Sequence, residues 1–504
     1  MKKIPVLVFL AAALPVFAQT KKPAGDAAAV AAEHSDIGVV EDKNATAHTA
    51  HPDAQWYPDA GFGLFIHWGI ASVRAMNISW PMIPGRALAT KHIDDPAERA
   101  RIIREGDYNL NGRPNGITPN EYFSMAKDFN PSNYDPDKWM AAAKAAGFQY
   151  VVLTTRHHEG FALWPSAYGD FDTKNFMGGR DLLKPYVDAC RKYGLKVGFY
   201  YSPPDWYFDR DFKNFIYGRG AKNNPEIPPV DADLKPRAVT HTPAEIAAHR
   251  AAYVAKVNGQ VEELLTRYGP IDLLWFDGKP EVPDTSGCIT QERIRELQPG
   301  IVINPRLHGH GDFVTFERTF PKERPAGWAE FCDTWTGGWS HQEIPFRSDA
   351  FVLVNLARSR AWGLNYLLGV GPTKDGEMCA GVYENMAVVA DWMKRNAASV
   401  APGAQPLSKG ETASVPATRR GATRFLFAIP AFERDGKMPE QQLPPKDETL
   451  TLRGVAAPKS VTLLAGGGPL SFVYDAVTRT VAVSLPAAQR TKLVDVLAIE
   501  LPPK

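Results

Sequence analysis

The sequence predicts an α/β chain, a (β/α)8-like TIM barrel followed by a C-terminal antiparallel β-sandwich. Three observations predict it. Short apolar runs alternate with helical segments from Gln55 to about Val400, the pattern changes to period two from about Gly403, and 504 residues exceed one compact core. Alternating β and α elements imply a parallel sheet, and a (β/α)8 barrel takes about 250 residues or more with insertions. The expected division is a signal peptide at 1–18, a flexible lead-in at 19–54, the barrel at 55–402 and the sandwich at 403–504.

Lys2 and Lys3 precede an apolar run from Ile4 to Phe17 and a Val16-Phe17-Ala18 cleavage site, the pattern of a secretory signal. The run is shorter than the ~20 residues a membrane span needs. Export, to a periplasm or the exterior, is therefore expected, with no membrane insertion once the signal is removed. From Lys21 to about Ala54 the chain is rich in Ala, Thr, Asp and Lys without an apolar period, which reads as flexible.

Strands are expected at Gly63–His67, Tyr150–Thr155, Lys196–Tyr201, Ile271–Phe276, Gly300–Asn304 and Asn365–Gly369, with a weaker one around Phe331–Trp335. Thr118-Pro119-Asn120-Glu121 and Thr242-Pro243-Ala244-Glu245 read as capping boxes with Pro in the first turn. The second opens a long helix in which Ile246, Tyr253, Val257, Val261, Leu264 and Leu265 recur at helical spacing. Shorter helices are expected at Pro136–Ala146, Asp181–Tyr193, Gln291–Leu297 and Asp349–Ala361. A doubly wound open sheet is the alternative, but no G-x-G-x-x-G loop follows the first strand. Two polar insertions, Pro81–Ile117 and Phe208–His241, follow strand ends and would either wall a pocket or decorate the surface. Beyond Gly403, alternation at Phe425, Phe427 and Ile429, at Leu450 and Leu452, at Val481, Val483 and Leu485, and at Leu497, Ile499 and Leu501 predicts the sandwich.

The 57 basic and 56 acidic residues leave no basic excess to attract nucleic acid or an anionic membrane, so a neutral partner fits better. The chain is rich in aromatics, as carbohydrate-binding proteins and large cores both are. Cys190, Cys288, Cys332 and Cys379 lie far apart without a C-x-x-C pair, which predicts free thiols rather than a zinc ribbon or disulfide scaffold.

Residues at the C-terminal ends of barrel strands point into the active-site mouth. That rule gathers His67 in FIHWG, His157 and His158 in RHHEGF, Tyr201 in GFYYS, Asp277 in LLWFDG and Arg306 in IVINPR. Asp277 is the sharpest, a carboxylate at the tip of an apolar strand where burial is costly unless it is paired. An Asp before Gly can also serve a turn. Retaining glycosidases pair such a nucleophile with a second carboxyl about 5–5.5 Å away. Candidates are Glu317 in GDFVTFER, Glu330 in WAEFCD and Glu343. Glu317 is expected in a Gly-rich loop beside Phe313 and Phe316, whose apolar character would raise its pKa for acid duty. Pairing with Arg318 on an exposed loop is the bland alternative. A metal-dependent barrel hydrolase is a second reading, through His157-His158 and His308-Gly309-His310. Against it, His308 and His310 sit in a glycine-rich loop, and adjacent histidines on a strand diverge. A sugar-binding protein without catalysis is a third, but it would not need both carboxylates.

These segments resemble glycoside hydrolase family 29, the α-L-fucosidases, over roughly Trp56 to Val400. The resemblance rests on FGLFIHWG, YFSMAKDFNPSNYDPDKWMAAAKAAGFQYVVLTTRHHEGFALW, KVGFYYS, DLLWFDG, GDFVTFE and LLGVGPTKDG. It implies a barrel followed by a β-sandwich, no cofactor, and double displacement at the anomeric carbon of L-fucose carried by a fucosylated oligosaccharide or glycoconjugate. Matched by motif, Asp277 is the nucleophile and Glu317 the acid/base, with Glu330 as the alternative because this residue varies in position across the family. His67, Trp80, His157, His158, Tyr201, Trp275 and Arg306 match pocket residues. Ser79-Trp80 stands where many members have Glu-Trp, and Glu159 follows the histidine pair where Asp is usual. L-galactose differs from fucose by one hydroxyl, so an α-L-galactosidase activity is the alternative within the family.

Overall fold

The computed structural model describes residues 30–31, 34–35, 37–39, 46–83, 94–98, 101, 117–216, 228–237, 239–279, 287–433, 440–466 and 468–503, without the side chains of 431–433 and 440–442. The expected signal peptide lies outside the described residues, as do most of the first insertion and part of the second. Some described residues of the stretch expected as a lead-in make contacts with the barrel. Ile37 is buried, its carbonyl accepts from Lys279 N–H at 2.7 Å, and the His48 ring stacks on Trp328 at 4.1 Å.

Eight strands form one parallel sheet: β1 (Phe62–Ile66), β2 (Tyr150–Arg156), β3 (Lys196–Tyr201), β4 (Leu273–Phe276), β5 (Val302–Ile303), β6 (Val314–Glu317), β7 (Ala329–Thr334) and β8 (Asn365–Val370). Their order is β5-β4-β3-β2-β1-β8-β7-β6, so β1 pairs with both β2 and β8. Between the two end strands, Asp312 N–H donates to the Ile303 carbonyl at 2.8 Å. The central strands are buried on both faces, which is why they read as unbroken apolar runs. Together with the helices between them they make the expected (β/α)8 barrel. Strand β6 was not among the expected strands. Its four residues, Val-Thr-Phe-Glu, follow a run of Gly, His and Asp too polar to announce a strand. Glu317 therefore ends a barrel strand instead of sitting in a loop.

The longer helices are α1 (Pro119–Ser124), α2 (Pro136–Ala145), α3 (Leu183–Lys192), α4 (Pro243–Thr266), α5 (Gln291–Leu297), α6 (Asp349–Trp362) and α7 (Ala380–Val400). Both capping boxes form: Thr118 and Thr242 accept from the N–H groups of Glu121 and Glu245, whose carboxylates accept in return. Helix α7, outside the sequence expectation, buries Val382, Met386, Val389 and Met393 against α6 and α2.

Two antiparallel sheets of four and five strands follow, the expected sandwich. Strand 423–428 faces two ways. Leu426 and Ala428 join Leu450, Leu452, Val481, Val483 and Leu497 inside the sandwich, while Phe425 and Phe427 join the barrel core. Trp392 of α7 donates to the Val494 carbonyl at 2.7 Å, tying the two cores together. All four cysteines are free thiols.

The barrel floor is built on Glu330. Fully buried at the start of β7, it accepts from Tyr57 Oη at 3.1 Å, Tyr150 Oη at 2.8 Å and Trp275 Nε1 at 3.1 Å. Tyr150 reaches it only because β1 carries glycine alongside: a Cβ on Gly63 would lie 2.2 Å from the Tyr150 ring. Burial pushes the Glu330 carboxyl up to about 7, against the opposing pull of its three donors. A folded-state pKa above the unfolded one means that stability present below about pH 4.5 is lost as pH rises toward 7. Unfolding free energy should therefore fall by about 2–3 kcal/mol between pH 5 and pH 8 on this account. In Glu330→Gln, which cannot ionise, chemical denaturation should show that component gone; an unchanged pH slope would contradict it.

Candidate active site

Strand alternation decides which side chains reach the barrel mouth. Tyr200 pairs in register with Trp275, and Tyr201 with Phe276, so the first pair turns inward and the second outward. Asp277, two residues after Trp275, turns inward again, as does His67 after Phe65. A cavity results, lined by His67, Trp80, His157, His158, Trp275, Asp277, Arg306 and Glu317, all expected, and by His34, Ile37, Phe65, Ile78, Tyr200 and Trp339, which were not.

Tyr201 is the expected residue that does not line it. Its hydroxyl donates to Gln260 Oε1 at 3.0 Å, and the Arg156 guanidinium lies 4.5 Å over its ring on the outer face of the barrel. Tyr200 takes the inner place and donates to Asp277 Oδ2 at 2.7 Å. Two adjacent tyrosines left the strand phase open by one residue, and only the register with β4 settles it. Glu330 lies on the barrel floor, outside the cavity lining, and Glu343 is likewise absent from it.

Arg306 organises the charges. Its guanidinium donates to Asp277 Oδ1 at 2.7 Å and to Glu317 Oε2 at 2.8 Å, and it lies 4.5 Å over the Trp275 ring. His34 Nε2 completes the set, 2.9 Å from the same Glu317 oxygen. Burial alone would push the Glu317 carboxyl up, but the Arg306 charge and the His34 hydrogen bond outweigh it and hold it well below the usual carboxylate range. The expected upward shift is thereby corrected. The apolar residues beside Glu317 in sequence matter less than a cation delivered from another strand end. Nothing in the sequence around His34, far from any motif, announced it.

The histidines divide the remaining work. Burial, and then the neighbouring His157, push the His67 imidazole well below its ordinary pKa, so it stands neutral. Its buried Nδ1 has no hydrogen-bond partner among the described residues. His157 and His158 follow the end of β2, where a register shift between Thr154 and Arg156 ends the alternation. They do not diverge, contrary to expectation: the ring centroids are 4.0 Å apart. His157 Nδ1 lies 2.5 Å from Ser79 Oγ and His158 Nδ1 lies 2.6 Å from Ser202 Oγ. With Asp277 they could offer three ligand atoms within 4.8 Å of one another. Arg306 already sets a positive charge on that carboxylate, and a second cation there would be repelled. His308 binds the Ile289 carbonyl at 2.9 Å, and neither it nor His310 joins the cavity.

A (β/α)8 barrel that presents two carboxyl groups and a ring of imidazoles and aromatics at its mouth defines a glycoside hydrolase. The alpha-L-fucosidase family model matches residues 29–398. Tissue alpha-L-fucosidase of Bos taurus is 26% identical over 397 residues, covering 75% of each chain. Among solved structures, alpha-L-fucosidase isoenzyme 1 from Paenibacillus thiaminolyticus is 28% identical with a TM-score of 0.67, over 90% of this chain and 99% of that one. An alpha-L-fucosidase from Bacteroides thetaiotaomicron, caught as a trapped covalent intermediate, superposes with a TM-score of 0.65 at 20% identity, over 92% and 99%. The chain belongs to the alpha-L-fucosidase family.

Removing one partner of a buried ionic set costs about 3–5 kcal/mol, because the charges left behind stay buried. Arg306→Met should therefore lower unfolding free energy by about that much at pH 8. The loss should shrink on acidification, as Glu317, freed of the Arg306 charge, takes up a proton. A deficit independent of pH would show that Arg306 acts by packing instead.

Proposed function

We propose that the chain is a retaining exo-α-L-fucosidase that removes terminal L-fucose from fucosylated oligosaccharides or glycoconjugates by double displacement. The observation that carries this reading is the single Arg306 guanidinium spanning Asp277 and Glu317 in one cavity. Such a span favours the short carboxyl separation of retaining enzymes, about 5–5.5 Å, over the about 6.5–9.5 Å that leaves room for an inverting water. The trapped covalent intermediate of the Bacteroides thetaiotaomicron relative supports the same chemistry.

Asp277 is oriented by Arg306 on one oxygen and Tyr200 on the other, and attacks the anomeric carbon as Glu317 passes a proton to the departing oxygen. Water then attacks the glycosyl ester while Glu317 takes the proton back. Arg306 and His34 keep Glu317 ionised, the form the second step uses. The first step needs the acid, so substrate entry must loosen one of those two contacts. Selectivity for a neutral deoxy-sugar comes from imidazoles that can donate to and accept from hydroxyls, and from the Trp80, Trp275 and Trp339 faces for its apolar patches. The findings favour neither a metal-dependent hydrolase nor an α-L-galactosidase as the alternative. Export to the periplasm or beyond is part of the proposal and rests on the Lys2-Lys3 charge and the apolar run from Ile4 to Phe17. No described helix is long and apolar enough to cross a membrane.

With a nitrophenyl α-L-fucoside, Asp277→Gly should lose nearly all turnover while still folding. Glu317→Ala should lose about 10²–10⁴-fold on substrates with poor leaving groups, much less on activated ones, and regain rate with azide. A Glu317→Ala variant as active as the parent on natural fucosides would remove Glu317 from the mechanism.

A further inference from the structure

One buried acid lies beside the cavity without a part in the chemistry above. Glu159 is 4% exposed and sits directly after the histidine pair. Its Oε2 accepts from the Ser79 hydroxyl, the same oxygen that lies 2.5 Å from His157 Nδ1 and accepts the Glu159 backbone N–H at 3.1 Å. Ser79 is fully buried, so water does not compete for these contacts.

With Glu159 as a carboxylate and His157 neutral, counting protons fixes the direction of each bond. A carboxylate only accepts, whereas a hydroxyl has one proton to give. The Ser79 proton is therefore committed to Glu159. The Ser79–His157 contact must then take its proton from the ring, which places it on Nδ1. Among the described residues no hydrogen bond engages Nε2, and the ring lines the cavity, packed parallel to Tyr200 at 5.5 Å. We infer that Ser79 and Glu159 are positioning residues that lock His157 as its Nδ1–H tautomer, so that Nε2 accepts a hydrogen bond from one hydroxyl of the bound sugar. The site is thereby selective for a hydroxyl donor at that position, since an analogue without it leaves a buried acceptor unpaired. His67, whose Nδ1 is bare, has no comparable lock among the described residues.

The tautomer half of this inference does not depend on the activity; the selectivity half rests on the α-L-fucosidase reading. The experiment is long-range ¹H–¹⁵N NMR on the full chain labelled with ¹⁵N-histidine, with His157→Gln assigning the ring. The wild type should show His157 as Nδ1–H at neutral pH. Ser79→Ala and Glu159→Gln should release it to a mixture or to Nε2–H, and Ser79→Thr, which keeps the hydroxyl, should restore it. Nε2–H in the wild type, or an unchanged tautomer in Ser79→Ala, would overturn the lock. In parallel, Ser79→Ala should cut kcat/KM on the parent nitrophenyl fucoside about tenfold or more, and the loss should vanish on one monodeoxy analogue. Equal losses on every analogue would overturn the selectivity. A wild type inert toward all fucosides would sink the functional reading while leaving the spectra to decide the tautomer.

Discussion

Two carboxylates cannot share a small, buried cavity unless something offsets their repulsion and their loss of water, and Arg306 is what does so here. Asp277 and Glu317 come from the ends of β4 and β6, which are not neighbours in the sheet, and the guanidinium that bridges them follows β5 between the two. A planar fork with donors on two nitrogens is suited to holding two acceptors at once in fixed relation. Trp275 supplies the face beneath it, and the same indole donates downward to Glu330. The catalytic mouth and the barrel floor are thus joined through one side chain.

Glu317 and Glu330 have opposite characters. Glu330, surrounded by phenols and an indole with no cation bonded to it among the described residues, is pushed up to about 7 by burial. Glu317, less completely buried, is driven the other way by Arg306 and His34. Burial pushes both carboxyl groups up, and the charge facing Glu317 reverses the direction. The N-terminal stretch matters for the same reason. It packs Ile37 against the Gly278 backbone just past Asp277 and delivers His34 to Glu317, closing a site that the barrel strands leave open on that side.

Much of this was legible in the sequence, for a physical reason. Apolar runs of strand length ending in a polar residue mark barrel strands and their rim at once, and Asp277, His67, His157, His158 and Arg306 all declared themselves so. Tyr201 was taken for Tyr200 because two tyrosines in succession conceal the strand's phase, which depends on a partner strand remote in sequence. Strand β6 was too short and too polar at its start to stand out, so Glu317 was placed in a loop. Its protonation was misjudged because its controlling neighbours, Arg306 and His34, are adjacent only in the folded chain. The link from Glu159 through Ser79 to His157 belongs to the same category, two unusual residues whose relation appears only in three dimensions.

The chemistry turns on which atom becomes bonded to the sugar. Intact mass and peptide mapping after incubation with 2-fluoro-fucosyl fluoride test it directly. A single added sugar on the peptide carrying Asp277, with retained configuration in the product released from an unmodified substrate, is the predicted result. An adduct on any other residue, or a product of inverted configuration without an adduct, would contradict it.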